Sequence, residues 1–154
     1  MRASIVLSDF AEQETPGGKV HMLGAGWSVI GPAPSPQAVV VLIKMEWTET
    51  NHPHEFLLRM TDGDGDTVRV PSPAGTQAME FAGRLEVGRP PGFPQGSEIG
   101  TTLVVPLQPL PLTPGQNYTW RFRLGTEEVA AETFYVRPLP QPPAHVSPGP
   151  EPRT

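Results

Sequence analysis

Tyr118-Thr119-Trp120-Arg121-Phe122-Arg123-Leu124 alternates large apolar and polar side chains without a break. Successive side chains of a β-strand leave opposite faces. Tyr118, Trp120, Phe122 and Leu124 therefore share one side, and Thr119, Arg121 and Arg123 share the other. The period is two, not the 3.6 of a helix, and it predicts a strand with one dry and one wet face, as in antiparallel sheets.

The same period recurs along the chain. Over residues 78–87, Met79, Phe81, Leu85 and Val87 point inward, while Glu80, Arg84 and Glu86 point outward. Phe56, Leu58 and Met60 alternate with Glu55, Leu57 and Arg59. Residues 37–47 differ. Val39, Val41, Ile43, Met45 and Trp47 share one face, but Ala38, Val40 and Leu42 begin the other, which turns polar at Lys44 and Glu46. That pattern predicts a central strand covered on both faces over its first half. A buried helix is the competing reading, and the β-branched enrichment and the Pro36 boundary argue for strand. Further strands are expected at residues 2–10, 19–30, 67–70, 101–107 and 128–137, making about nine.

The segments between carry turn chemistry. Thr15-Pro16-Gly17-Gly18 joins the first two strands, Asp62-Gly63-Asp64-Gly65-Asp66 makes a tight hairpin, and Gly125-Thr126-Glu127 closes the last one. Pro32 to Pro36 and Arg89 to Gly96 are longer loops. The expected fold is all-β, an antiparallel two-sheet sandwich, immunoglobulin-like or jelly-roll-like. Twenty-one prolines and sixteen glycines in 154 residues exclude long helices, since an interior proline costs a helix about 3 kcal/mol. The domain is expected to span residues 1–137. Residues 138–154 carry seven of those prolines, with Leu139 and Val146 the only sizeable aliphatics. This Pro-rich tail is expected to be disordered. Its Pro140 and Pro143 have the spacing of a proline-groove ligand, which this proline density produces by chance.

The net charge is −5, and the few cations, nine Arg and two Lys (Lys19 and Lys44), are spread along the chain. Phosphate backbones need clustered cations, so neither nucleic acid nor an anionic membrane is expected as a partner. The absence of cysteine excludes disulfides, thiolate nucleophiles and zinc ribbons. Ile5-Val6-Leu7 is too short for a signal core. No run approaches a membrane helix, and a cytoplasmic or virion location is expected.

Leu112-Thr113-Pro114-Gly115-Gln116-Asn117-Tyr118 resembles the Leu-x-Pro-Gly-x-x-Tyr corner of fibronectin type III and related immunoglobulin-like sandwiches. The resemblance covers roughly residues 110–137. It implies that the Tyr118 hydroxyl bonds back to the backbone a few residues upstream, at the start of the penultimate strand. It implies architecture only, because such sandwiches host unrelated tasks. Met1-Arg2-Ala3-Ser4-Ile5-Val6-Leu7-Ser8-Asp9, with the segment from Lys19 to Ser28, is similar to a mainly actinobacterial family of short proteins described only as a domain of unknown function. With the Pro-Gly-x-x-Tyr-x-Trp segment it covers most of residues 1–137. It implies a compact bacterial domain and carries over no functional residue.

Candidate chemistry is sparse. Asp62, Asp64 and Asp66 resemble the opening of a calcium loop, but the sixth and twelfth positions hold Thr67 and Pro73 where Gly and Glu are needed. A polar hairpin is the better account, with weak calcium binding as the minor option. Gly24-Ala25-Gly26 lacks a third glycine, with Val29 in its place, so it reads as a packing feature with both glycines on one strand face. His52 and His54, with Glu49 and Glu55 nearby, lack the third ligand that a catalytic zinc needs. His21 reads as a surface residue and His145 lies in the tail. Glu46, Glu80 and Glu86 read as solvent-facing strand positions. Asn117-Tyr118-Thr119 matches a glycosylation sequon, read as incidental. Trp47 and Trp120 read as core, leaving Trp27 and Phe93 as the only candidates for a sugar-stacking platform. No catalytic, cofactor-binding or metal-binding residue is expected, and no cofactor. The reading is a non-enzymatic protein-interaction or structural module, such as an assembly or phage component, that binds a protein partner or itself through a sheet edge. A small-ligand or carbohydrate-binding sandwich is the alternative.

Overall fold

The structure, a computed structural model, describes residues 1–143. Among them are twelve strands: β1 (Arg2–Ser8), β2 (Phe10–Gln13), β3 (Val20–Leu23), β4 (Val29–Ile30), β5 (Gln37–Met45), β6 (Pro53–Thr61), β7 (Arg69–Ser72), β8 (Gly75–Ala78), β9 (Glu80–Glu86), β10 (Ile99–Leu107), β11 (Asn117–Leu124) and β12 (Glu127–Val136). A single 3-10 turn, Trp47–Glu49, interrupts them. No helix is long and apolar enough to cross a membrane. Residues 138–143 are exposed and outside any strand, and the rest of the expected tail, with His145 and Val146, lies outside the described residues.

Two sheets face each other. One runs β1-β5-β10 and the other β4-β12-β11-β6-β9. All pairings are antiparallel except the short β4–β12 contact. The order follows the immunoglobulin-like alternative, with its A, B and E strands in one sheet and G, F, C and C′ in the other. A single apolar core fills the space between. Ile5, Leu7, Val39, Val41, Ile43, Met45, Ile99, Val105 and Leu107 come from the first sheet, and Leu58, Met60, Trp120, Phe122, Leu124, Phe134 and Val136 from the second. Each fully buried side chain of this size contributes about 1.5–3 kcal/mol.

The two-sided burial of β5 has a direct cause. Its inner face meets the main core, while Ala38 and Val40 on its outer face lie in a second, smaller cluster with Ala11. Val20 and Met22 of β3 pack on that cluster, so the β2–β3 hairpin roofs the first sheet. The hairpin turns through Thr15-Pro16-Gly17-Gly18. Gly18 N–H donates to Thr15 O at 2.8 Å, and Gly17 has φ 75°. Proline then glycine at the two central positions is what a type II turn demands.

Several expected boundaries are corrected. The strand expected at 2–10 breaks at Asp9, and the one expected at 19–30 is two strands, β3 and β4. Gly24 (φ 59°) and Gly26 (φ 86°) sit in the loop between them, not on one strand face. A Cβ at Gly24 would collide with the Asp9 carboxylate, so the chain closes tightly there. The strand expected at 67–70 is β7, and it pairs with β8, which the alternation does not reveal. β5 ends at Met45, which leaves Trp47 and Glu46 outside it.

The corner before β11 has the expected bond. Thr113 N–H donates to the Tyr118 hydroxyl at 2.9 Å, and the Tyr118 ring stacks on Phe134 at 5.8 Å. At the opposite end of the first sheet, Arg2 on β1 donates two bonds to the Glu98 carboxylate beside β10, spanning β5. The hydrogen bond from the guanidinium, and then its charge, hold the Glu98 carboxyl below its usual range. A lowered folded pKa contributes stability above the unfolded value and loses it as pH falls through the folded one. Arg2→Ala is therefore expected to raise the Glu98 midpoint in an NMR titration, with any loss of stability confined to pH above the parent's lower midpoint. An unmoved midpoint would show the pair to be energetically silent.

Candidate functional site

The outer face of the five-stranded sheet gathers charged side chains from three adjacent strands. Alternation along β11 sends Thr119, Arg121 and Arg123 outward, opposite Trp120, Phe122 and Leu124. The β6–β11 register places Thr61 beside Thr119, Arg59 beside Arg121, and Leu57 beside Arg123. β9 adds Glu80 beside Arg59, Ala82 beside Leu57, and Arg84 beside Glu55. Arg59, Arg84, Arg121 and Arg123 thus share one face, against the carboxylates of Glu55, Glu80 and Glu128. Arg121 donates to Glu128 at 2.9 Å and to the Thr61 hydroxyl at 3.2 Å. Arg84 stands 3.6 Å from Glu55, with both side chains largely exposed. Among the described residues, Arg59 and Arg123 have no carboxylate within ion-pair distance. Beside Arg123 lies an open depression of about 580 Å³, lined by Leu57, Ala82, Gly83, Arg84 and Gly125 among others.

Like charges directly opposite on neighbouring strands are destabilising. The Arg59–Arg121 alignment is such a pair, on a chain with net charge −5. An anionic group seated between Arg59, Arg121 and Arg123 would offset that repulsion and could accept forked bonds from planar guanidinium groups. Each arginine was legible as outward-facing, but their gathering was not, because it depends on strand neighbours far apart in the chain.

Asp62 Oδ1 accepts from the Asp64 and Asp66 amides, each at 3.0 Å, and Asp62 N–H donates to Asp66 O at 2.9 Å. The loop is a hydrogen-bonded polar turn. Among the described residues no three His, Asp or Glu side chains converge so as to hold a metal ion. His52 is exposed, and His54 Nε2 lies 2.7 Å from the Glu49 carbonyl. Burial acts to raise the Glu49 carboxyl, yet the Glu46 amide and the Met1 ammonium hold it below its usual range. His21 is exposed beside Glu14. Glu80 and Glu86 are exposed strand residues, whereas Glu46 caps the 3-10 turn instead of lying on a strand. Asn117 opens β11 and is exposed. Trp120 is core, but Trp47 is only half-buried, under the Arg89 guanidinium at 4.5 Å from its ring centre. Trp27 packs edge-to-face on Phe134 at 5.5 Å, so its ring serves the fold and is not a free platform. Phe93 is 38% exposed in a proline-rich loop, with no second exposed ring paired to it.

Fold and face together define an all-β sandwich that presents an arginine-bearing sheet surface. The chain belongs to a family of unknown function, DUF6941, whose profile matches residues 3–137. That match coincides with the span from β1 to the end of β12. No curated protein and no solved structure matches the chain.

Proposed function

We propose that this chain is a non-enzymatic interaction module that docks a protein partner carrying carboxylates on the outer face of its five-stranded sheet. The observation that supports this reading is the direct opposition of Arg59 and Arg121, with Arg59 and Arg123 lacking ion partners among the described residues. Arginine is enriched at protein interfaces and at their energetic hot spots. A rigid sheet holds such side chains in fixed register, which suits recognition of a structured partner. A role as an assembly component, including one of a phage particle in an actinobacterial host, is a specific form of this reading.

Titrating the intact, isotope-labelled chain with a short poly-glutamate peptide tests it. Shifts are expected at Arg59, Arg121 and Arg123 and along β6 and β11, weakening as salt screens the contact. R59E/R123E should weaken binding by about tenfold or more, the equivalent of one lost charge-assisted contact. R59K/R123K should recover only part of the loss, because lysine keeps the charge and loses the fork. Shifts scattered over the whole surface, or a double reversal that binds as well as the parent, would sink the reading.

A further inference from the structure

The margins of the two sheets are not equally protected. In β10, Gln13 donates to the Thr102 carbonyl and to its hydroxyl, and that hydroxyl donates to Gly18 O at 2.9 Å. Thr102 therefore sends its backbone groups away from β5. Alternation gives Pro106 the same outward orientation, where its missing N–H leaves a gap in the edge. A side-chain clamp and a proline are both means of blunting an edge strand. The β1 margin runs alongside β12, and the end of β12 carries β4.

β9 has no such guard. Glu55 O accepts from Gly125 N–H, so Glu55, Leu57 and Arg59 turn their backbone groups toward β11, and Phe56 and Leu58 turn theirs toward β9. Gly83 and Phe81 are their β9 partners. Glu80, Ala82 and Arg84 consequently send N–H and C=O to the free side. Among the described residues no backbone group bonds there. There is no proline and no bulge in Glu80–Glu86. A groove of about 520 Å³ runs beside the strand, lined in part by Phe56, Leu85, Val87 and Leu103.

We propose that a second copy of this chain docks on this edge, the two β9 strands pairing antiparallel about a two-fold axis at Ala82. Charge selects the register. With the axis at Ala82, Glu80 of each copy stands opposite Arg84 of the other, on the outer face. Moving the axis to Gly83 would set Glu80 against Glu86, and moving it to Arg84 would set the two arginines against each other. On the inner face, Phe81 then stands opposite Gly83 of the second copy, which its own Phe56 ring overlies. The pairing supplies about six backbone hydrogen bonds from residues 80, 82 and 84 of both copies. It is isologous and closes on itself, as two-fold contacts do. One sheet would run through both copies, and the arginine-bearing faces would lie side by side. The pairing does not depend on the acidic-partner reading, since Arg59 and Arg123 take no part in it.

Light scattering of the intact chain over a concentration series tests the pairing. Particles of about twice 16.6 kDa are expected at high concentration. R84E and E80R should each raise the concentration at the dimer midpoint by about tenfold or more, since each turns two attractive pairs into repulsive ones. E80R/R84E should restore the parent midpoint, because the pairs are re-formed with signs exchanged. Circular dichroism controls for folding of each variant. If a variant does not fold, hydrogen exchange of the parent decides: amides 80, 82 and 84 should gain protection with concentration. A parent that stays monomeric to about 1 mM, a dimer indifferent to R84E, a double variant that does not recover, or amides whose exchange ignores concentration would each overturn the proposal.

Discussion

Phe122→Ala is expected to destabilise the fold by about 3–5 kcal/mol. Phe122 is fully buried on β11, between Leu58 of β6 and Ala130 of β12, and its ring lies 6.1 Å from that of Phe56. Truncation removes the transfer energy of the ring and leaves a cavity that two hydrogen-bonded neighbouring strands cannot close. Domains of this size hold only about 5–15 kcal/mol in total, so the variant should sit near its unfolding limit at 37 °C. Arg123→Ala, one residue along, removes a longer side chain that points to solvent and should change stability by no more than about 0.5 kcal/mol. Urea midpoints of the two variants check this. Similar midpoints for both would mean that β11 does not present alternate faces to core and solvent.

Tyr118→Phe is expected to cost about 1–2 kcal/mol through the loss of one hydroxyl. The ring would keep its stacking on Phe134, so packing is conserved. What disappears is the acceptor for the Thr113 N–H, the bond that ties the crossover segment to the start of β11. Tyr135→Phe is the control. Tyr135 is half-buried on the neighbouring strand, and its hydroxyl makes no hydrogen bond among the described residues, so its change should stay within about 0.5 kcal/mol. Thermal or urea unfolding of both variants separates the outcomes. Equal, small effects would mean that the corner bond contributes nothing, and that the crossover is held by the buried Leu110 and Leu112 alone.

Much of the architecture was legible because burial alternation is written locally. Residues 118–124 show it, and so do 37–45, where apolar residues on both faces mark a strand roofed on one side and packed on the other. The misses share one cause. Asp9, Gly24 and Gly26 break strands where a cross-chain approach forces a bend, and no local period reports that approach. β4 is two residues long and exists only because β12 passes beside it. Trp47 fits the inner face by period, yet the strand stops before it and Arg89, far along the chain, covers the ring.

The candidate face follows the same division. That Arg59, Arg84, Arg121 and Arg123 point outward can be read residue by residue, because each falls on the polar phase of its strand's alternation. That Arg59 meets Arg121, that Thr61 and Glu128 hold the latter, and that β9 is left without a neighbour are matters of which strands pair and in what register. Alternation is a property of one strand, encoded at every second residue. Adjacency is a property of the closed sandwich, reached only when distant segments pack and their loops close.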